Sequence, residues 1–360
     1  MTELGQVIAR TVATDGPMRL DQYMAQCLLH PDYGYYATRD PFGAGGDFTT
    51  APEISQMYGE MLGLCLAQVW MDQGQPAAFV LAEPGPGRGT LMSDMLRVMR
   101  SVSGMTQAAQ VHLIEASAHL RKVQRQTLGD QPITWHDSID SLPADLPLFM
   151  VANEFFDALP IRQFQRVEGG WAERQIGLAD GELVLGLAPA GAVSALQDRL
   201  ADTAPGDVVE LCPAAPQIVT QIARRIAAQG GGAIIVDYGD WRSLGDTFQA
   251  LRDHQPVDPL AEPGLADLTA HVDFEQLAAA ARDAGADVSA MTPQGLLLER
   301  LGITARAQAL AARMQGTALE NHIAAHRRLT HPKEMGQLFK TVAIVPAGNA
   351  MPPGFNRSEG

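Results

Sequence analysis

Five carboxylates and three alternating glycines carry most of the chemical information in this sequence. The stretch LAEPGPGRGTL, residues 81–91, sets Glu83 before Gly85, Gly87 and Gly89, between an apolar run and the helix-like TLMSDMLRVM. A glycine turn of this kind lets a ligand approach the backbone closely. Three ligand classes compete for it. A nucleoside-triphosphate loop needs Gly-Lys-Ser/Thr, and here Gly87 is followed by Arg88, Gly89 and Thr90. A dinucleotide site needs Gly-x-Gly-x-x-Gly, and an acid at the strand end would face two phosphate charges. S-adenosylmethionine has no phosphate and offers a sulfonium and an α-amino group, which suit Glu83. Its ribose hydroxyls need an acceptor at the end of the next strand, where Glu115 closes VHLIE. Asp137, in TWHDS, either meets the adenine edge or caps a helix.

A second polar group follows the apolar run LFMVA. The stretch ANEFFDALP, residues 152–160, offers Asn153, Glu154 and Asp157 around Phe155 and Phe156. Methyl transfer demands alignment and exclusion of water. Carboxylates there can hold a guanidinium acceptor and take its proton. The alternative is that Glu154 and Asp157 cap a helix while the two phenylalanines are core. Other chemistries find less support. His254, Asp258, Asp267, His271 and Asp273 lack the i, i+4 spacing of a helical zinc site, and prolines interrupt them. No Gly-x-Ser-x-Gly elbow is present. Cys27, Cys65 and Cys212 are too dispersed for a disulfide framework or a cysteine zinc site, which fits a reducing compartment.

These residues need a scaffold, and the sequence supplies an alternation of apolar runs and helical stretches. AAFVLAE (77–83), VHLIEAS (111–117), LFMVANEFF (148–156) and GAIIVDYG (232–239) read as strands buried on both faces, with PITW (132–135) as a short extra. The pattern predicts an α/β fold, a parallel sheet with helices on both sides. Residues 1–75 read as a helical region interrupted by the glycine-rich 40–55. Residues 76–350 form the main domain, with insertions at about 161–187 (an antiparallel meander) and 241–274 (irregular), and 351–360 read as a frayed tail. With 360 residues, 46% of them hydrophobic and 19% charged, the chain has ample material for a core. A net charge of −15 without a basic tract disfavours nucleic acid. No apolar run is long enough to span a bilayer, so membrane insertion is not expected.

In order, GDFTTAPEISQMYGEML (46–62), EPGPGRGTLMSDMLR (83–97), VHLIEAS, ANEFFDALPIRQFQ (152–165), DYG (237–239) and ADLTAHVDF (266–274) resemble the MidA family. That family includes the mitochondrial complex I assembly-factor arginine methyltransferase. The resemblance implies a class I S-adenosylmethionine-dependent methyltransferase: a Rossmann-like, mostly parallel seven-stranded sheet with an antiparallel last strand. It implies symmetric dimethylation of an arginine on a 49-kDa-type complex I subunit or its bacterial counterpart. It assigns the cofactor to Glu83, Gly85, Gly87, Gly89 and Glu115, and adds an N-terminal loop over it with Phe48, Thr50, Pro52, Glu53 and Ser55. It makes Asn153, Glu154 and Asp157 the catalytic motif. Two departures stand out: Pro84 within the glycine turn, and His271 where mitochondrial relatives carry an acid. A non-catalytic, cofactor-binding assembly factor and a small-molecule methyltransferase remain the alternatives. The N-terminus shows neither signal nor presequence, so a bacterial cytoplasmic member is expected.

Overall fold

The computed structural model describes residues 1–38 and 50–358; Phe48 lies outside the described residues. The chain forms two compact units. One comprises Thr49–Phe156, Pro216–Trp241 and Phe274–Gly360; the other comprises Met1–Phe48, Asp157–Ala215 and Arg242–Asp273.

The first unit is built on a mixed sheet. Its strands are β1 (Phe79–Pro84), β2 (Ala109–Ile114), β3 (Ile133–His136), β4 (Leu148–Asn153), β5 (Gly231–Asp240), β6 (Ala286–Val288) and β7 (Phe339–Pro346). They lie in the order β3-β2-β1-β4-β5-β7-β6. Pairing is parallel from β3 to β5 and antiparallel where β7 meets β5 and β6. Thr292–Pro293 adds a further short strand on β7. Because side chains alternate along a strand, Phe79, Leu81, Val111, Leu113, Phe149, Val151, Ile234 and Val236 enter one core. Their neighbours Val80, Ala82, Met150 and Ile235 are equally buried, which explains why the strands read as unbroken apolar runs.

Two helices share the core with β1. Helix α1 (Gln56–Asp72) is capped by Ser55, whose hydroxyl accepts from the Met57 N–H, and helix α2 (Thr90–Met99) leaves the glycine turn. They approach so closely that a Cβ on Gly59 would stand 2.6 Å from Asp94 Cβ, and one on Gly63 would stand 2.9 Å from Met95 Cα. Buried Glu60 ties this corner together by pairing with Arg97 and with Arg306 of a later helix. The segment expected to fray is anchored: Phe355 joins the core, and Arg357 pairs with Asp287. Its aromatic residue had no periodic context to reveal it.

In the second unit, the meander forms as Arg162–Val167, Gly170–Ala179 and Glu182–Leu187, flanked by Met18–Arg19 and Val208–Leu211. Leu4, Ile8, Tyr23, Met24, Ile176 and Leu268 share its core. The expectation of irregular structure over 241–274 is corrected. Gln249–Arg252 pairs with Gln255–Val257 and with Asp267–Thr269. The hairpin turns on Asp253 and His254, both at positive φ (50° and 60°), instead of on the Asn-Gly or Asp-Gly that signals such a turn. No helix among the described residues is long and apolar enough to cross a membrane.

Candidate functional site

The glycine turn sits at the carboxyl end of β1. Gly85, Gly87 and Gly89 have φ of 61°, 52° and 82°, which L-residues with a Cβ adopt only under strain. A Cβ on Gly85 would also come within 3.2 Å of the Phe155 ring. The Gly85 N–H donates to Ile114 O at 3.0 Å, locking the turn to β2. Glu83 is 3% exposed, and its Oε2 has no hydrogen-bond partner among the described residues. Burial pushes its carboxyl up from 4.5 to about 8, against a smaller opposing contribution from the Met92 backbone. A buried carboxylate oxygen without a partner calls for a cation or a donor. The glycine backbone and this oxygen together fit the methionine end of S-adenosylmethionine.

Glu115 follows β2, on the short connection to α3 (Ala118–Leu128). Its Oε1 accepts from the Ser117 N–H at 2.7 Å and its Oε2 from Gln124 Nε2 at 3.1 Å, so the carboxylate is held in one orientation. Burial raises its pKa, offset by Ser117, Gln124 and Arg121. Gln124 is a residue the sequence did not point to. Its Nε2 also donates to Gly87 O at 2.8 Å, and its Oε1 accepts from Trp135 Nε1 at 2.8 Å. One amide therefore ties the glycine turn to Glu115. Asp137 stands apart: its side chain is 89% exposed and pairs with Arg121.

The segment after the undescribed residues reaches both parts of the site. Thr50 precedes the short helix Ala51–Ile54, Pro52 is buried in its first turn, and Ser55 caps α1. Glu53 Oε1 accepts from Thr90 Oγ1 at 2.5 Å, at the start of α2. The Ala51 N–H donates to Glu154 Oε1 at 3.3 Å. At the end of β4, Asn153 Nδ2 donates to the same Glu154 oxygen at 3.0 Å, and Glu154 has φ of 51°. Tyr58 Oη donates to Asn153 Oδ1 in a short bond. Burial raises the Tyr58 pKa far above its usual range, with Glu154, Asp237 and Glu83 adding to the effect; the phenol thus sits among three carboxylates. Asp237, fully buried at the end of β5, accepts from the Phe156 N–H at 3.0 Å. Tyr58 and Asp237 escaped the sequence reading. Asp237 carried the same signal as Glu83, an acid closing an apolar strand, whereas Tyr58 looked like one more apolar helix position.

The chain passes to the second unit after Phe156, so Asp157 is described there. It is buried, its carbonyl accepts from the Ala270 N–H at 3.0 Å, and it acts electrostatically on Tyr36, whose phenol donates to Asp267 at 2.9 Å. The structure thus brings Glu83, the three glycines, Glu115, Asn153, Glu154 and residues 50–55 together in one unit, and leaves Asp137 at the surface.

Comparison with known proteins places the chain in a family. A sequence model of an S-adenosyl-L-methionine-dependent methyltransferase family (Methyltransf_28) matches residues 61–292. The chain is 38% identical to the mitochondrial protein arginine methyltransferase NDUFAF7 of Danio rerio, over 94% of this chain and 86% of that protein. With the Homo sapiens protein of the same name it shares 34% identity, over 93% of this chain and 81% of that protein. A Burkholderia thailandensis protein crystallised with S-adenosyl-homocysteine superposes with a TM-score of 0.84 and 29% identity, covering 98% of this chain and 94% of that one. The expectation of a bacterial cytoplasmic protein is overturned, because the curated relatives matched here are mitochondrial.

Proposed function

We propose that this chain, which belongs to the S-adenosyl-L-methionine-dependent methyltransferase family, methylates an arginine of a protein acceptor. Methyl transfer and dependence on S-adenosylmethionine come with the family; the acceptor is the added step. Our reading takes the acceptor to be a 49-kDa-type complex I subunit and the product to be symmetric dimethylarginine. The observation that carries it is the Glu154 carboxylate at the end of β4, oriented by Asn153 and by the Ala51 N–H. The names of the relatives, protein arginine methyltransferases, support it. The strand order and the antiparallel β7 support assignment to the class I methyltransferase pattern.

When bound, the cofactor supplies an electrophilic sulfonium methyl group. In this reading Glu83 faces the cationic methionine end, the glycine backbone allows its close approach, and Glu115 accepts from the ribose hydroxyls. Residues 50–55 shield the reacting groups from water. Glu154, oriented by Asn153, holds the guanidinium and concentrates its charge away from the attacking nitrogen. A carboxylate then takes the proton released as the N–C bond forms and the S–C bond breaks. The test is transfer of a labelled methyl group to the complex I subunit, followed by amino-acid analysis. Dimethylarginine that disappears with Glu154→Ala is expected. Label found only in lysine, nucleic acid or a small molecule would reject the proposal.

A further inference from the structure

We propose that Tyr58 is a positioning residue for methyl transfer: through Asn153 it fixes the orientation of the Glu154 carboxylate. The inference rests on the role proposed for Glu154. Tyr58 Oη and Asn153 Oδ1 are paired, Asn153 Nδ2 donates to Glu154 Oε1 at 3.0 Å, and the Ala51 N–H reaches the same oxygen at 3.3 Å. A carboxylate only accepts, so the Asn153 amide must present its nitrogen to Glu154 and its oxygen to Tyr58. A flipped amide would set oxygen against oxygen at Glu154. Glu154 thus selects the polarity of the amide, and the phenol, bonded to Oδ1 on the far side, holds the amide in place against it.

Three further features confine the phenol to this role. Tyr58 is fully buried in the first turn of α1, among the carboxylates of Glu154, Asp237 and Glu83, which keeps it protonated and a donor. Its helix is pressed onto α2 at Gly59 and Gly63, so the ring cannot drift. Glu154 itself lies in the left-handed region, a conformation that persists only where surrounding contacts hold it. An aromatic ring kept solely for packing would need no hydroxyl, and Phe would serve.

Tyr58→Phe removes that hydroxyl and keeps the ring. The measurements are S-adenosylmethionine affinity by calorimetry, kcat and KM for the protein acceptor, and the Asn153 side-chain amide signals in protein labelled with 15N-asparagine. We expect kcat to fall by about tenfold to a hundredfold, as for loss of other orienting partners, while cofactor affinity stays within about twofold. Asn153→Ala breaks the same chain of bonds from its other end, so the double variant should be no slower than the slower single one. Protected, distinctly shifted Asn153 amide protons should collapse toward exposed values in Tyr58→Phe. Unchanged kcat, or additive losses in the double variant, would overturn the inference. If the unsubstituted protein methylates no protein arginine, the proposed function fails, and the amide spectrum decides the inference alone: unchanged signals in Tyr58→Phe refute it and collapsed signals support it.

Discussion

The two halves of the site are held in place by different means. Around the glycine turn, the critical features are backbone conformations and neighbours close in sequence: three glycines at positive φ, Glu83 two residues before the first of them, and Glu115 held by Ser117. Around Glu154 they are side-chain bonds between distant segments. Tyr58 reaches Asn153 across 95 positions, Ala51 reaches Glu154 across 103, and Asp237 holds Phe156 across 81. The glycine-turn half is therefore the more local of the two, and the Glu154 half depends more on how the whole unit is assembled. A methyltransferase family can keep one donor and change acceptors when its parts are divided in this way.

Three experiments would break or sharpen that contrast. Gly85→Val has the largest expected effect, because a β-branched residue at φ 61° is strained and its Cβ would meet Phe155 at 3.2 Å. S-adenosylmethionine affinity should drop by about a hundredfold or more, read by calorimetry. A loss confined to kcat would mean that the two halves are less separate than described. The second is pH. With its pKa pushed from 4.5 to about 8, Glu83 is neutral at pH 7 without ligand and ionised above pH 8. A cationic ligand needs the anion, so affinity should rise by about tenfold per unit from about pH 6 to about pH 7.5. Unliganded stability runs the other way. The contribution of this raised group is fully present below pH 4.5 and is lost as pH rises through about 8. Glu83→Gln should flatten both profiles. The smallest effect belongs to Gln124→Leu, which removes the amide that ties the glycine turn to Glu115. A loss of about tenfold in affinity, with kcat unchanged at saturation, is the expected result.

The same contrast explains what could be read from the sequence. Strands β1, β2, β4 and β5 announced themselves because burial on both faces leaves an unbroken apolar run, and the acids that close β1 and follow β2 stood out against those runs. Even the short β3, expected only as an extra, has its place at the sheet edge. Tyr58 and Gln124 were illegible because each sits on a helix with nothing nearby in sequence to distinguish it from packing. Their meaning arises only when the fold brings up Asn153 or Gly87. The hairpin at Asp253 and His254 was missed because two non-glycine residues occupy positive φ, and Phe355 because one aromatic side chain in a polar stretch has no period to show.

The missing methyl groups at Gly59 and Gly63 give the helix seam a use in engineering. Contact between two carbons is normally about 3.5–4 Å, so a Cβ at Gly59, 2.6 Å from Asp94 Cβ, would push α1 away from α2 by roughly 1 Å. Tyr58 precedes Gly59 on that helix and would travel with it, out of line with Asn153. Methyl transfer could then be turned down from the hydrophobic interior, by the size of one side chain, while every group that touches cofactor or acceptor keeps its identity.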